Sequence, residues 1–289
     1  MRESSYTNII ATMEELSGLL IVIVAGALFL GNDDGASVTQ TFEASRDTHW
    51  TGIARGAALG FFAFIGFEDM VNVAEEVKDP GRNMPRAILT ALCVTGMVYL
   101  LVVIIATSVV PPATLAESDA PLLTVVQTST SLVPDRVFTV IALFAVANTG
   151  LLNFIMGSRL IYGMSRQGLL PSALGRVHPT RRTPHWAILT VLLVALALAL
   201  SGTLTYLAGT TSLLLLLVFF TVNVSLFTIK GRDGSPIDTF RAPAAIPIAG
   251  AVSCLALMPF VPLGSLLTAG IVLALGAGLV ALRGRRQGG

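Results

Sequence analysis

An all-α integral membrane protein with eight transmembrane helices is the fold class this sequence predicts, and three observations carry it. The 289 residues are 54% hydrophobic and 12% charged, whereas a soluble domain carries about 25% charged residues. The apolar residues gather into eight stretches, most of them long enough to cross a hydrocarbon core of about 30 Å. Lysine and arginine fall alternately in dense and sparse connections, the pattern that separates cytoplasmic from outer loops.

The spans are expected at residues 7–30, 52–77, 87–110, 137–162, 185–201, 206–229, 246–261 and 263–282. The first is apolar except for Glu14 and Glu15, about one-third of the way in. The second carries Gly66 and Glu68 close to its midpoint. The third is an uninterrupted apolar run. The fourth holds Asn148, Thr149 and Asn153 near its middle and Arg159 near its end. The fifth and seventh are short, the sixth is rich in leucine, and the last two are divided only by Pro262.

Charge placement sets the orientation. Arg2; Lys78, Arg82 and Arg86; Arg166, Arg176, Arg181 and Arg182; Lys230, Arg232 and Arg241; and Arg283, Arg285 and Arg286 fall on one set of connections, fourteen in all. The opposite set holds Arg46, Arg55 and Arg136, only three. The dense side is the cytoplasmic one, so both termini are expected in the cytoplasm of a multi-pass plasma-membrane protein. Of the outer loops, residues 31–51 end at Trp50, a candidate interfacial anchor. Residues 111–136 contain 120–130, a candidate short helix over the outer mouth; the loop is either a lid or an irregular connection.

Several chemistries find no support. Cys93 and Cys254 lie within apolar stretches, and the three histidines are scattered, so neither a disulfide framework nor a metal site is expected. No phosphate-cradling glycine loop, zinc-ligand cluster or nucleophilic triad is present. No cofactor, enzymatic activity or nucleic-acid partner is therefore expected. Residues 1–12 lack the basic start and compact apolar run of a cleavable signal.

The second span is the anomaly. A lipid-facing helix has no reason to carry Glu68 at depth, where a carboxylate costs about 2.5–3.5 kcal/mol even on permissive scales. Gly66 offers a point where the helix opens, and irregular backbone at that depth must be buried in protein or line a cavity. A half-helix entering at Gly52 would end near Ile65, aiming the negative end of its dipole at the membrane centre. That arrangement suits a cation such as an α-ammonium group. The alternative is that Gly66 only permits close helix packing.

Glu15 is either a proton-relay group or a structural interhelical hydrogen bond, since an ionisable group at such depth needs neutralisation or a partner. In the fourth span, positions 148, 152, 155 and 159 share one helical face. Asn153 is expected to bond between helices. Arg159 is expected to snorkel or to pair with Glu75 or Glu76. The segment from Lys78 to Arg86 reads as a compact turn whose bases hold topology.

Two strings carry a resemblance. Phe61-Phe62-Ala63-Phe64-Ile65-Gly66-Phe67-Glu68, followed by Ala74-Glu75-Glu76-Val77-Lys78-Asp79-Pro80-Gly81-Arg82-Asn83-Met84-Pro85-Arg86, resembles helix six and the next loop of the amino acid–polyamine–organocation (APC) superfamily. Gly157-Ser158-Arg159-Leu160-Ile161-Tyr162-Gly163-Met164-Ser165-Arg166-Gln167-Gly168-Leu169-Leu170-Pro171 resembles the end of its helix eight. The resemblance covers almost the whole chain. It implies amino acid permeases and their antiporter relatives, with a five-plus-five inverted-repeat fold. In these terms residues 7–30 correspond to helix five, 52–229 to the second repeat (helices six to ten), and 246–282 to helices eleven and twelve.

By resemblance, Phe62 is the aromatic lid over the substrate, and Ile65, Gly66 and Phe67 are the unwound stretch whose backbone receives its amine. Glu68 is the gating acid. Glu15 falls where coupled members often carry lysine, and Asn148 is added as a substrate-binding candidate from the fourth span. The helix-one break and helices two to four have no counterpart in these residues. The expectation is therefore a partial fold, incomplete alone, that transports an amino acid or related amine by symport or antiport. Its expected partners are protons or a counter-substrate and membrane lipids; either the chain is a truncated product or gene fragment, or a separate polypeptide supplies helices one to four. The alternative is a non-transporting membrane scaffold that retains the fold.

Overall fold

A computed structural model of the chain describes residues 2–32, 49–68, 70, 77–178, 183–201, 203–230 and 243–287. The described residues form helices and connections, with no strand among them. The α-helices are α1 (Arg2–Gly31), α2 (Trp50–Ala63), α3 (Pro80–Val109), α4 (Pro112–Glu117), α5 (Pro121–Ser129), α6 (Asp135–Arg166), α7 (His185–Ser201), α8 (Leu204–Lys230), α9 (Ala245–Leu257) and α10 (Leu263–Gln287).

Among the described residues, four helices are long and apolar enough to cross a membrane: Thr12–Gly31 within α1, then α3, α6, and Leu204–Ile229 within α8. Ala245–Phe260 and Leu263–Gly278 pass the same test as a pair bent by 116°, a fifth among the described residues if the pair is one span. The bend falls at Val261 and Pro262, where proline ends the approach of one helix and the next begins. The seventeen residues of α7 give about 25 Å at 1.5 Å per residue, short of a full crossing. The surface of the long helices is that of a membrane protein. Only 6% of the most apolar window of α6 is buried inside the protein, and exposed leucines and valines cover its outside. In water such patches would drive association; in lipid they need no cover.

The chain divides into two compact units. The first comprises residues 1–48 and 91–157. Its core joins Val22 of α1, Val102, Ile105, Ala106 and Val109 of α3, Val125 and Val126 of α5, and Phe138 of α6. The outer loop therefore does contain a short helix, and α5 is seated against α1 rather than loose. Helices α1 and α3 meet closely at Gly26, where an added Cβ would lie 2.1 Å from Ile105 Cγ2. Overpacking of this kind costs about 1–3 kcal/mol. Gly26→Val is expected to lose that much stability in detergent, read from denaturation with a tertiary-structure probe.

The second unit comprises residues 49–90 and 158–289. Helix α8 is its hub, contacting α2, α9 and α10. Ala58, Leu213, Leu216, Cys254, Val261 and Ala269 form the buried cluster. Trp50, expected at an interface, is 68% exposed and sets its ring edge-on to Phe260, 5.3 Å away.

The turn at Lys78 differs from expectation. Helix α3 starts at Pro80 and runs through Pro85, instead of starting near residue 87. Asp79 has φ 49°, and its carbonyl accepts from the N–H groups of Arg82 and Asn83 at 3.0 Å. Asn83 Nδ2 donates to the Lys78 carbonyl at 2.6 Å. With Pro80 in the first helical position, where no N–H is needed, the string from Lys78 to Asn83 is a helix start. The helix-eight-like string is likewise a helix end. Gly168 has φ 71°, Leu169 N–H donates to the Met164 carbonyl at 2.7 Å, and Ser165 Oγ donates to the Pro171 carbonyl at 2.8 Å. This is a left-handed glycine cap.

Candidate functional site

Within the expected second span the helix ends ahead of Gly66, and residues 69 and 71–76 of that span lie outside the described residues. Helix α2 ends at Ala63, and its last turn tightens through Phe64 N–H to the Phe61 carbonyl (3.1 Å) and Ile65 N–H to the Phe62 carbonyl (3.2 Å). Gly66 follows with φ 120°, a conformation open to glycine and strained for any other residue. The Gly66 N–H donates to Glu68 Oε2 at 2.8 Å. The acid therefore turns back onto the break and satisfies a backbone donor that the open helix would leave orphaned. Helix ends leave carbonyls without intrahelical donors and carry partial negative charge. The site chemistry is thus a negatively polarised helix end facing a short carboxylate-braced turn.

The aromatics around the break divide their work. Phe62, the expected lid, is 38% exposed. Its neighbour Phe61 packs inward, edge-on to Phe219 of α8 with centroids 5.9 Å apart. Phe67 lies 5.5 Å from the same Phe219 ring. Around Gly66, an added Cβ would meet no atom of the described residues within 4 Å, so among these the space in front of the break is open. Ala74, Glu75 and Glu76 lie outside the described residues, and with them the expected partners of Arg159. Arg159 itself is exposed.

The other site candidates cluster in the first unit. Asn148 Nδ2 donates to Glu15 Oε1 at 2.9 Å, joining the α1 acid to the α6 amide. Glu15 also lines a groove of about 790 Å³ with Gly18, Phe138, Ala142, Thr149 and Asn153. From Phe138 to Asn153 the groove follows α6 for about 22 Å at 1.5 Å per residue. Asp119, beside α5, stands on its rim. Asn153 belongs to this lining. The residues found here but not expected are Phe61, Phe219 and the Glu15–Asn148 bond. Phe219 lies in the unbroken apolar run from Leu213 to Phe220, where no sequence signal distinguishes one position from another.

A family model described as amino acid permease matches residues 1–281. The chain belongs to the amino acid permease family. It thereby falls within the APC superfamily, among transport proteins rather than enzymes. An uncharacterized transporter of Mycobacterium tuberculosis is 31% identical over 268 residues, 92% of this chain and 59% of that protein. The branched-chain amino acid permease BcaP of Bacillus subtilis is 26% identical over 250 residues, 86% of this chain and 52% of its own length. The methylthioribose transporter of Bacillus subtilis is 28% identical over 264 residues, covering 91% and 56%. The chain thus spans little more than half the length of these relatives.

Proposed function

We propose that the chain serves secondary active transport of an amino acid or related amine across the cytoplasmic membrane, as part of an APC-type permease. The observation that carries the reading is the break at residues 64–68, with Gly66 at φ 120° beside open space. In this account the backbone of Ile65, Gly66 and Phe67 receives the substrate amine, and the exposed Phe62 closes over it. Glu68 and Glu15 are the gating and coupling acids. Asn148, a substrate-binding candidate in its own right, donates to Glu15 within the first unit. Eight spans, with residues 52–229 as the second inverted repeat and 246–282 as helices eleven and twelve, complete the proposed architecture. The substrate carboxylate is met by helices one to four of the complete permease.

Glu68 is turned onto the Gly66 N–H, so in this reading it serves the turn and is given no role in holding the substrate side chain. Phe62, Phe64 and Phe67 favour an apolar one, in line with the branched-chain name of one relative. Uptake of labelled leucine and lysine into proteoliposomes, with the companion helices co-expressed, tests this reading. Saturable leucine uptake above lysine is the expected result; no uptake of any amino acid would refute the transport role.

The proposal includes orientation, resting on the fourteen-to-three distribution of Lys and Arg. With Cys93 and Cys254 replaced, Gly231→Cys is expected to resist an impermeant thiol reagent in intact cells and to react after permeabilisation. Labelling from outside would overturn the topology.

A further inference from the structure

The break is held from a third element. Phe61 lies just before it and Phe67 within it, and both rings rest on the ring of Phe219. The Phe61 pair is edge-to-face at 81° and the Phe67 pair is tilted at 36°, with centroids 5.9 and 5.5 Å apart. Helix α2 is anchored ahead of the break by Ala58, 1% exposed, and by Phe61, against the cluster holding Leu213 and Leu216 of α8. Within the turn, the bond from Gly66 N–H to Glu68 spans two residues. It fixes the local shape of the turn but not its direction relative to the preceding helix. Phe64 and Ile65 stay tied to α2 through the Phe61 and Phe62 carbonyls, and the Phe67 ring on Phe219 gives the turn beyond them a hold on α8.

We propose that Phe219 is a positioning residue whose ring ties the turn at Phe67 to the end of α2 at Phe61, and so sets where the backbone groups of residues 64–67 point. Its functional meaning rests on the reading of the break as the amine site; its geometry does not. Edge-to-face and offset ring pairs are the arrangements that aromatic quadrupoles favour. Helix α8 also contacts α2, α9 and α10, so the ring sits on a supported helix rather than a loop. A shift of α8 along α2 would reach the break through Phe67 and reorient its carbonyls and N–H groups without any contact to the substrate.

Hydrogen exchange of the full chain in lipid nanodiscs tests the pin. The amides of Phe64, Ile65 and Gly66 are hydrogen-bonded and report its loss. Phe219→Ala removes both ring contacts and is expected to speed their exchange about tenfold, equal to about 1.4 kcal/mol of lost protection, with α9 amides unchanged. Phe219→Tyr keeps the ring and is expected to exchange as the wild type does. Unchanged exchange at residues 64–66 in Phe219→Ala would overturn the proposal, as would an equal acceleration throughout α8 and α9. If Phe219→Ala does not fold, Phe67→Ala removes one contact and should speed the same amides about threefold; no change there overturns the pin. A mixture of amino acids added to the wild type co-expressed with helices one to four tests the amine site separately, by slowing exchange at residues 64–67. Failure of that arm while Phe219→Ala still loosens the break would sink the amine reading and leave the pin standing.

Discussion

Gly66→Leu is expected to weaken substrate binding about a hundredfold or more, equal to about 2.7 kcal/mol, while the protein inserts and purifies normally. Two effects add. The left-handed φ of 120° is strained for leucine by about 1–3 kcal/mol, so the backbone relaxes and turns its polar groups away. The leucine side chain then enters open space that the substrate amine would need. No atom of the described residues lies within 4 Å of an added Cβ, so the fold is expected to survive the substitution. Gly66→Ala carries the strain without the bulk and should lose about tenfold. Equilibrium binding of labelled substrate, beside thermal denaturation of each variant, separates affinity from stability. Wild-type affinity in Gly66→Leu would remove the break from the site.

The second large effect is expected at Glu68, whose carboxylate braces the break. Hydrogen bonds to charged groups contribute about 1.5–3 kcal/mol, and partial exposure of this one puts it near the lower end. Glu68→Leu should cut transport about tenfold or more, because it leaves the Gly66 N–H without its acceptor. Glu68→Gln keeps an acceptor oxygen but cannot change charge. It should retain most of the affinity while flattening the pH dependence of uptake. A Glu68→Gln variant with the pH profile of the wild type, made also in Glu15→Gln and in the double variant, would show that neither acid couples protons to transport.

The break was legible in the sequence because it violates a rule. A glycine and a carboxylate at the centre of an apolar run cost too much to be incidental, and the helix does end at Ala63. The two family-like strings were legible as motifs, but part of their role is structural. Asp79 and Pro80 start a helix, and Gly168 ends one. The start of α3 was misplaced because two prolines and a glycine read as a turn. Pro80 needs no N–H in the first helical position, and the helix tolerates Pro85 at the loss of one bond.

What stayed hidden is what depends on distance along the chain. Glu15 and Asn148 are separated by 133 positions, and no periodicity in one sequence pairs them. Phe219 sits in a helix that is apolar on every side, so its facing direction carries no pattern. The last two spans read as two apolar segments divided by Pro262, and helices α9 and α10 meet there at a bend of 116°. Composition registers how apolar a segment is but not the direction it takes after Pro262.

The central claim is that the break receives the substrate through its amine, and changing that one group on the substrate tests it most directly. Binding of the preferred amino acid should be compared with binding of its 2-hydroxy analogue, which keeps the carboxylate and side chain but replaces the ammonium with a hydroxyl. The measurement is made on the chain with its companion helices in lipid. If the carbonyl end of α2 holds the ammonium, the hydroxy acid should bind about a hundredfold or more weakly, because it loses the charge-assisted contacts. Gly66→Leu should reduce that ratio towards one. Equal affinity for the amino acid and its hydroxy analogue in the wild type would contradict the account.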